Sequence, residues 1–148
     1  MFELDERLKK DSIKVGDFPL CELRLINDAS YTWFVLVPKR VAVTEIYQLE
    51  ELDRHMLMNE SCLLAETLHD AFSPDKLNIA AIGNKVQQLH LHHVVRFTSD
   101  KAWPEPVWGK FPAIAYKKAE LANILQKIRM LLADDLVVTE DTDGQLYY

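Results

Sequence analysis

From Gln88 to Arg96, polar and large apolar residues alternate with a period of two, the spacing of a β-strand that keeps one face in the core. The even positions carry Val86, Gln88, His90, His92, Val94 and Arg96, and the odd ones carry Leu89, Leu91, His93, Val95 and Phe97. Gln88, His90 and His92 are therefore expected on one face, with His93 on the reverse. Two further runs of branched and aromatic residues, Leu20 to Ile26 and Tyr31 to Val37, flank Asn27-Asp28-Ala29-Ser30. Asn and Asp side chains bond nearby backbone and favour turns, so these runs predict a β-hairpin, ended by Pro38, which cannot donate to a ladder. Lys76 to Ile82 reads as another strand, and Gly83-Asn84 predicts a tight turn joining it to the histidine strand as an antiparallel hairpin.

Helical spacing occurs three times. Leu4 and Leu8 predict a short helix followed by a loop, with Gly16 and Pro19 marking its end. Thr44 is placed to cap a helix that runs, with or without a break, to Phe72. Its expected apolar face is Leu49, Leu52, Met56, Leu63, Leu64, Leu68 and Ala71, with His55, Cys62 and His69 opposite. Asp53 and Glu60 interrupt that face. Lys117 to Leu132 sets Leu121, Ile124, Leu125, Ile128 and Leu132 on one side of a third helix. The proline- and tryptophan-rich Trp103 to Gly109 reads as an ordered loop, and the largely acidic tail holds one possible strand at Leu136 to Thr139. Strands and helices in this order make an α+β domain.

A chain of 148 residues suits one domain, able to bury ~70% of the surface its unfolded form exposes. It is 49% hydrophobic, yet has no apolar run near the ~18 residues of a membrane span, so no membrane partner is expected. The acidic opening Met1 to Asp5 lacks a basic region followed by an apolar one, and the expected location is cytoplasmic. Cys21 and Cys62 show no CxxC spacing and read as reduced thiols. A net charge of −6 argues against binding nucleic acid polymers, whose non-specific affinity comes from Lys and Arg on phosphates. It leaves room for a mononucleotide in a local pocket.

Three of the five histidines lie between positions 90 and 93, and three chemistries fit them. They can be hydrogen-bonded structural residues. His90 and His92, two apart on a strand, can reach one metal ion, although a third ligand is needed. Alternatively one imidazole attacks a phosphate ester while the other hydrogen-bonds the developing oxyanion or the departing oxygen.

The run Leu77 to Arg96, with Gly83-Asn84 before Gln88-Leu89-His90-Leu91-His92-His93-Val94, resembles the signature of the histidine triad (HIT) superfamily of nucleotide hydrolases and transferases. That signature is His-φ-His-φ-His-φ-φ, where φ is hydrophobic. Val35-Leu36-Val37-Pro38-Lys39-Arg40 is similar to the family's apolar strand closed by Pro-Lys-Arg, and the likeness covers about residues 15 to 110. Ala102 to Gly109 resembles a segment of a bacterial branch carrying Gln-Leu-His-φ-His. Two placements are open. In one, His90 is the first triad residue and His92 the nucleophile; in the other, Gln88 is first, His90 central and His92 third. The second also aligns Gly83-Asn84 and Arg96 with the family's turn and following basic residue, and it is adopted.

The resemblance then implies a HIT-like fold: an antiparallel sheet of about five strands with a long helix and a C-terminal helix, paired as a homodimer. It implies hydrolysis or nucleotidyl transfer at the α-phosphate of a nucleotide conjugate, at a phosphoanhydride or phosphoramidate bond, with no obligatory metal or cofactor. His90 would form a covalent nucleotidyl intermediate, His92 would contact phosphate or leaving-group oxygen, and the Gln88 carbonyl would fix the tautomer of His90. Asn27 and Asp28 would meet the ribose and Asn84 the phosphate, or else these residues only make turns. Trp103 and Trp108 would cover a base or anchor their loop. Three departures from the pattern stand out: Gln88 for a histidine, His93 for a hydrophobic residue, and the pair Val41-Ala42 where many members have a histidine. The alternatives to a hydrolase or transferase are a nucleotide-binding module with little turnover and a metal-binding protein using His90 and His92.

Overall fold

The computed structural model describes residues 1–139. Its elements are α1 (Glu6–Asp11), β1 (Ser12–Asp17), β2 (Cys21–Ile26), β3 (Thr32–Pro38), α2 (Glu51–Phe72), β4 (Lys76–Ala81), β5 (Leu91–Arg96) and α3 (Lys118–Leu131), with a 3-10 turn at Ile46–Gln48. The strands form one antiparallel five-stranded sheet in the order β1-β2-β3-β5-β4. The α+β architecture predicted from the sequence is the one observed.

Period-two patterning divides the sheet's faces. Leu23 and Leu25 of β2, Phe34 and Leu36 of β3, and Leu91 and Val95 of β5 are buried against Leu57, Leu64 and Leu68 of α2 and Leu121, Leu125 and Ile128 of α3. On the opposite face, Leu8 of α1 packs on Val35 and Val37, and the 97–110 segment packs Ala102 and Val107 on Tyr31 and Val94. That second face also carries His92. The Trp103 to Gly109 segment, expected as an ordered loop, is held in place by Arg96, which is 1% exposed, donates to both carboxylate oxygens of Asp100, to Asn78 Oδ1 and to the carbonyl of Glu105, and lies over the Trp103 ring.

Several expectations are corrected. The loop predicted after the first helix is strand β1, whose Ile13 and Val15 supply an inward face too short to stand out in sequence. Gly16 is no terminator. It sits where the β1–β2 register shifts, and a Cβ there would come within 2.7 Å of Leu136. The possible strand at Leu136 to Thr139 contributes one bridge, Val137 to Asp17. Thr44 does not cap α2; its N–H and hydroxyl donate to Gln48 Oε1 within the 3-10 turn. Leu52 is 71% exposed, while Leu57 takes the core position. Asp53 and Glu60 are buried because each has partners: Asp53 accepts twice from Arg40, and Glu60 accepts the N–H groups of Leu20 and Cys21.

The β4–β5 connection also differs from a tight turn. β4 ends at Ala81, paired with Leu91, so residues 82–90 form a loop and Gln88 and His90 precede the strand. Gly83 does adopt the left-handed conformation expected of a turn glycine, at φ 69°. The loop is pinned instead by Leu89 N–H to the Val43 carbonyl and by the Gln88 amide. Among the described residues, no helix is long and apolar enough to cross a membrane.

Candidate active site

His90, at the end of the loop, and His92, on β5, bring their rings within 4.7 Å, inclined at 65°. Each is held by a partner that dictates where its proton sits. The Nδ1 of His90 lies 2.7 Å from the backbone carbonyl of Gln88. A carbonyl only accepts, so Nδ1 carries the hydrogen and Nε2 keeps its lone pair. The Nδ1 of His92 accepts from the indole Nε1–H of Trp33 at 2.9 Å. An indole N–H only donates, so His92 carries its hydrogen on Nε2. One imidazole is thereby set as a lone-pair donor and the next as a hydrogen-bond donor.

Burial, and then the neighbouring His90 and His93, push His92 down to about 3, so it is neutral near pH 7. His93 is turned to the helix side as the alternation requires. Its Nε2 lies 2.7 Å from Ser61 Oγ and its Nδ1 3.1 Å from the Leu91 carbonyl, and burial lowers it to about 4. Both folded values lie below the 6.5 of a free imidazole. The stability these groups contribute is complete above about pH 6.5 and is lost as the pH falls towards the folded values, because only the unfolded chain takes up protons there. For His93 alone the loss between pH 7 and pH 4 is on the order of 3 kcal/mol. Urea titrations should show a lower midpoint at pH 4 than at pH 7, with the difference reduced in His93→Asn; a midpoint independent of pH would contradict the assignment.

The two rings open onto a cleft of about 630 Å³, which Trp33, Trp108 and Asn84 also line. Arg7, Lys10 and Lys85 stand at the same cleft. Another cavity, of about 450 Å³ against α3, contains neither His90 nor His92. The sequence-predicted residues divide accordingly. Asn84 lines the histidine cleft. Asn27 and Asp28 do not: Asn27 Oδ1 accepts from Tyr116 N–H, and Asp28 Oδ1 from Ser30 and Ile114 N–H, so the hairpin's polar atoms are used in tying down residues 114–116. Gln88 enters through its carbonyl, while its side-chain amide faces the N-terminal segment, accepting from Asp5 N–H and donating to the Glu3 carbonyl. The two tryptophans take different tasks: Trp103 lies under Arg96, and Trp108 stands edge-on to His92 at 5.4 Å.

Sequence reasoning missed Trp33, Arg7, Lys10 and Lys85. Trp33 was legible only as a strand residue; that it lies beside His92 depends on the β3–β5 register, which pairs Val35 with His92. Among the described residues, no group of three or more His, Cys, Asp or Glu side chains is arranged to hold a metal ion.

The HIT domain family profile matches residues 7–99. No curated protein sequence matches the chain. Three solved structures are similar over nearly their whole length, all histidine triad proteins. That from Sinorhizobium meliloti is 41% identical, with a TM-score of 0.87 over 89% of this chain and 98% of that one. That from Marinobacter aquaeolei is 44% identical, with a TM-score of 0.88 over 90% and 98%. That from Bradyrhizobium japonicum is 43% identical, with a TM-score of 0.86 over 87% and 96%. The paired imidazoles, the five-stranded sheet and these likenesses agree: the chain belongs to the histidine triad (HIT) family.

Proposed function

We propose that the protein is a nucleotide hydrolase or nucleotidyl transferase that works through a covalent nucleotidyl-His90 intermediate. Membership in the HIT family supports action on nucleotides in general. The observation that carries the finer reading is the opposite tautomers of the two rings, fixed by the Gln88 carbonyl and the Trp33 indole. In the first step the Nε2 lone pair of His90 forms a bond to the α-phosphorus, and the bond to the leaving group breaks with its electron pair departing on that group. The ring becomes an imidazolium-like adduct, whose positive charge the Gln88 carbonyl stabilises through Nδ1–H. In the second step water, or another acceptor, attacks phosphorus and releases its proton to solvent, and the P–N electron pair returns to Nε2.

The Nε2–H of His92 donates to the charged oxygens in both steps. Because its Nδ1 already accepts from Trp33 and burial keeps the ring neutral, His92 lends a hydrogen bond and does not surrender a proton. No metal is needed in this scheme. Single-turnover assays in chelator, with dinucleoside polyphosphates and nucleoside phosphoramidates, test it. Turnover in wild type that is lost in His90→Ala supports the scheme; equal rates on every substrate overturn it.

The same reading takes the protein as a cytoplasmic homodimer. Strand β4 is a sheet edge with Ile79 and the adjoining Ile82 exposed at 46% and 40%, an arrangement that invites pairing. Sedimentation velocity should give the mass of two chains, and a monomer at micromolar concentration would refute the pairing.

A further inference from the structure

Residues 2–5 precede α1, and they are tied to the loop that carries His90. Phe2 and Leu4 pack beside Leu8, Val35 and Val37. Along the same segment lies the Gln88 side chain, whose Nε2–H donates to the Glu3 carbonyl at 2.8 Å and whose Oε1 accepts from the Asp5 N–H at 2.9 Å. A primary amide offers a donor and an acceptor side by side. On an extended segment, a carbonyl and the N–H two residues further on present the complementary pair, the one a neighbouring strand would use. Gln88 therefore closes on residues 3 and 5 as a strand partner does, a task that its place in the histidine motif does not suggest.

The other end of Gln88 is the carbonyl that lies 2.7 Å from His90 Nδ1. That C=O and the Leu89 N–H belong to one planar trans peptide unit and point in opposite directions. The Leu89 N–H donates to the Val43 carbonyl at 2.9 Å. The peptide plane is thus held at its N–H by residue 43 and, across the Gln88 Cα, by residues 3 and 5. Ala42, the neighbour of Val43, adopts φ 58°, the left-handed region that a residue with a Cβ enters only under restraint. Residues 2–5 and Gln88 do not line the cleft, so what they fix is the direction of a carbonyl and not a contact with substrate.

We propose that residues 2–5 are a positioning element for His90: through the Gln88 amide they hold the 88–89 peptide so that its carbonyl keeps the ring hydrogen on Nδ1 and the lone pair on Nε2. This rests on the reading of His90 as the nucleophile. Which nitrogen of an imidazole carries the hydrogen is set by the partner of the other. A carbonyl that swings away releases the hydrogen to Nε2, where it occupies the pair that attacks phosphorus. The ring also loses its fixed direction, and small misplacements of a reacting group are felt strongly in rate. Because no substrate contact is lost, the effect falls on kcat and not on KM.

Long-range proton–nitrogen correlation spectra of isotope-labelled histidine, taken at about pH 8 where a free imidazole is neutral, read the tautomer directly. The His90 signals are those missing in His90→Ala. Wild type should show His90 with its hydrogen on Nδ1 alone. Gln88→Leu removes both amide bonds, keeps the backbone carbonyl and should give a mixture of tautomers; Leu4→Ser, which loosens the segment without touching Gln88, should shift the same way. A control, Leu121→Ala in the core on the helix side of the sheet, lowers the urea midpoint and should keep the wild-type tautomer. With diadenosine tetraphosphate as substrate, kcat of Gln88→Leu should fall about 10- to 100-fold at an unchanged KM. The positioning is refuted if His90 keeps its tautomer in Gln88→Leu, if Leu121→Ala loses it equally, or if only KM changes. A tautomer that shifts in Gln88→Leu, together with turnover that persists in His90→Ala, would overturn the covalent mechanism and leave the positioning of the ring standing.

Discussion

His90→Ala should lower the single-turnover rate on a phosphoanhydride substrate by about 10⁴-fold or more, the scale on which loss of a catalytic nucleophile is felt. The reason is local. His90 Nε2 is the lone pair that the Gln88 carbonyl leaves free, and His92 cannot replace it, because its Nδ1 is committed to Trp33 and its Nε2 carries the hydrogen. Alanine at 92 should do less, on the order of 10²- to 10³-fold, as expected for removing one preorganised donor to a developing oxyanion. The ordering matters more than either magnitude. If His92→Ala were the more damaging change, the alternative placement of the triad, with His92 as nucleophile, would have to be adopted.

Arg96→Met should destabilise the fold by about 3 to 5 kcal/mol, the range for breaking a buried ion pair by removing one partner. Arg96 is among the most deeply buried side chains, and four hydrogen bonds converge on its guanidinium from Asp100, Asn78 and Glu105. The Asp100 carboxylate, held below its usual range chiefly by the Arg96 hydrogen bond against its own burial, also accepts from the N–H groups of Phe97, Ala102 and Trp103. Without the guanidinium this charge stays buried among backbone donors alone. Against a typical total stability of ~5 to 15 kcal/mol the loss is large. Activity should fall as well, since the same loop delivers Trp108 to His92. Chemical denaturation measures the first effect, and a loss below about 1 kcal/mol would mean that the loop holds without Arg96.

The histidine face was legible in part: alternation along β5 sets His92 and His93 on opposite faces, with His93 turned to the core, whereas His90 lies in the loop before the strand, and the contacts of Leu89 and Gln88 that pin that loop bring its ring beside His92. The long helix, the β2–β3 hairpin and α3 followed from equally plain periodicities. What escaped was set by contacts distant in sequence. Residues 82–90 look like a tight turn followed by strand, but the Gln88 amide finds partners at residues 3 and 5, and the loop opens to reach them. Gly16 looks like a terminator, and its small size instead admits Leu136. Asn27 and Asp28 had the right residue types for a ribose, and residues 114–116 claimed them. No local pattern reveals Trp33 as the partner of His92, because that pairing exists only once β3 and β5 are in register.

The most direct test is to quench the reaction of wild-type protein with a nucleotide anhydride in base within a fraction of one turnover, digest it, and locate any adduct by mass spectrometry. A P–N bond to imidazole survives base and is cleaved by acid, so the nucleoside monophosphate should be found on the peptide containing residues 86–96, attached at His90, and should vanish on acid treatment or in His90→Ala. Turnover with no adduct at any time point, or an adduct at His92, would contradict the assignment of His90 as the nucleophile.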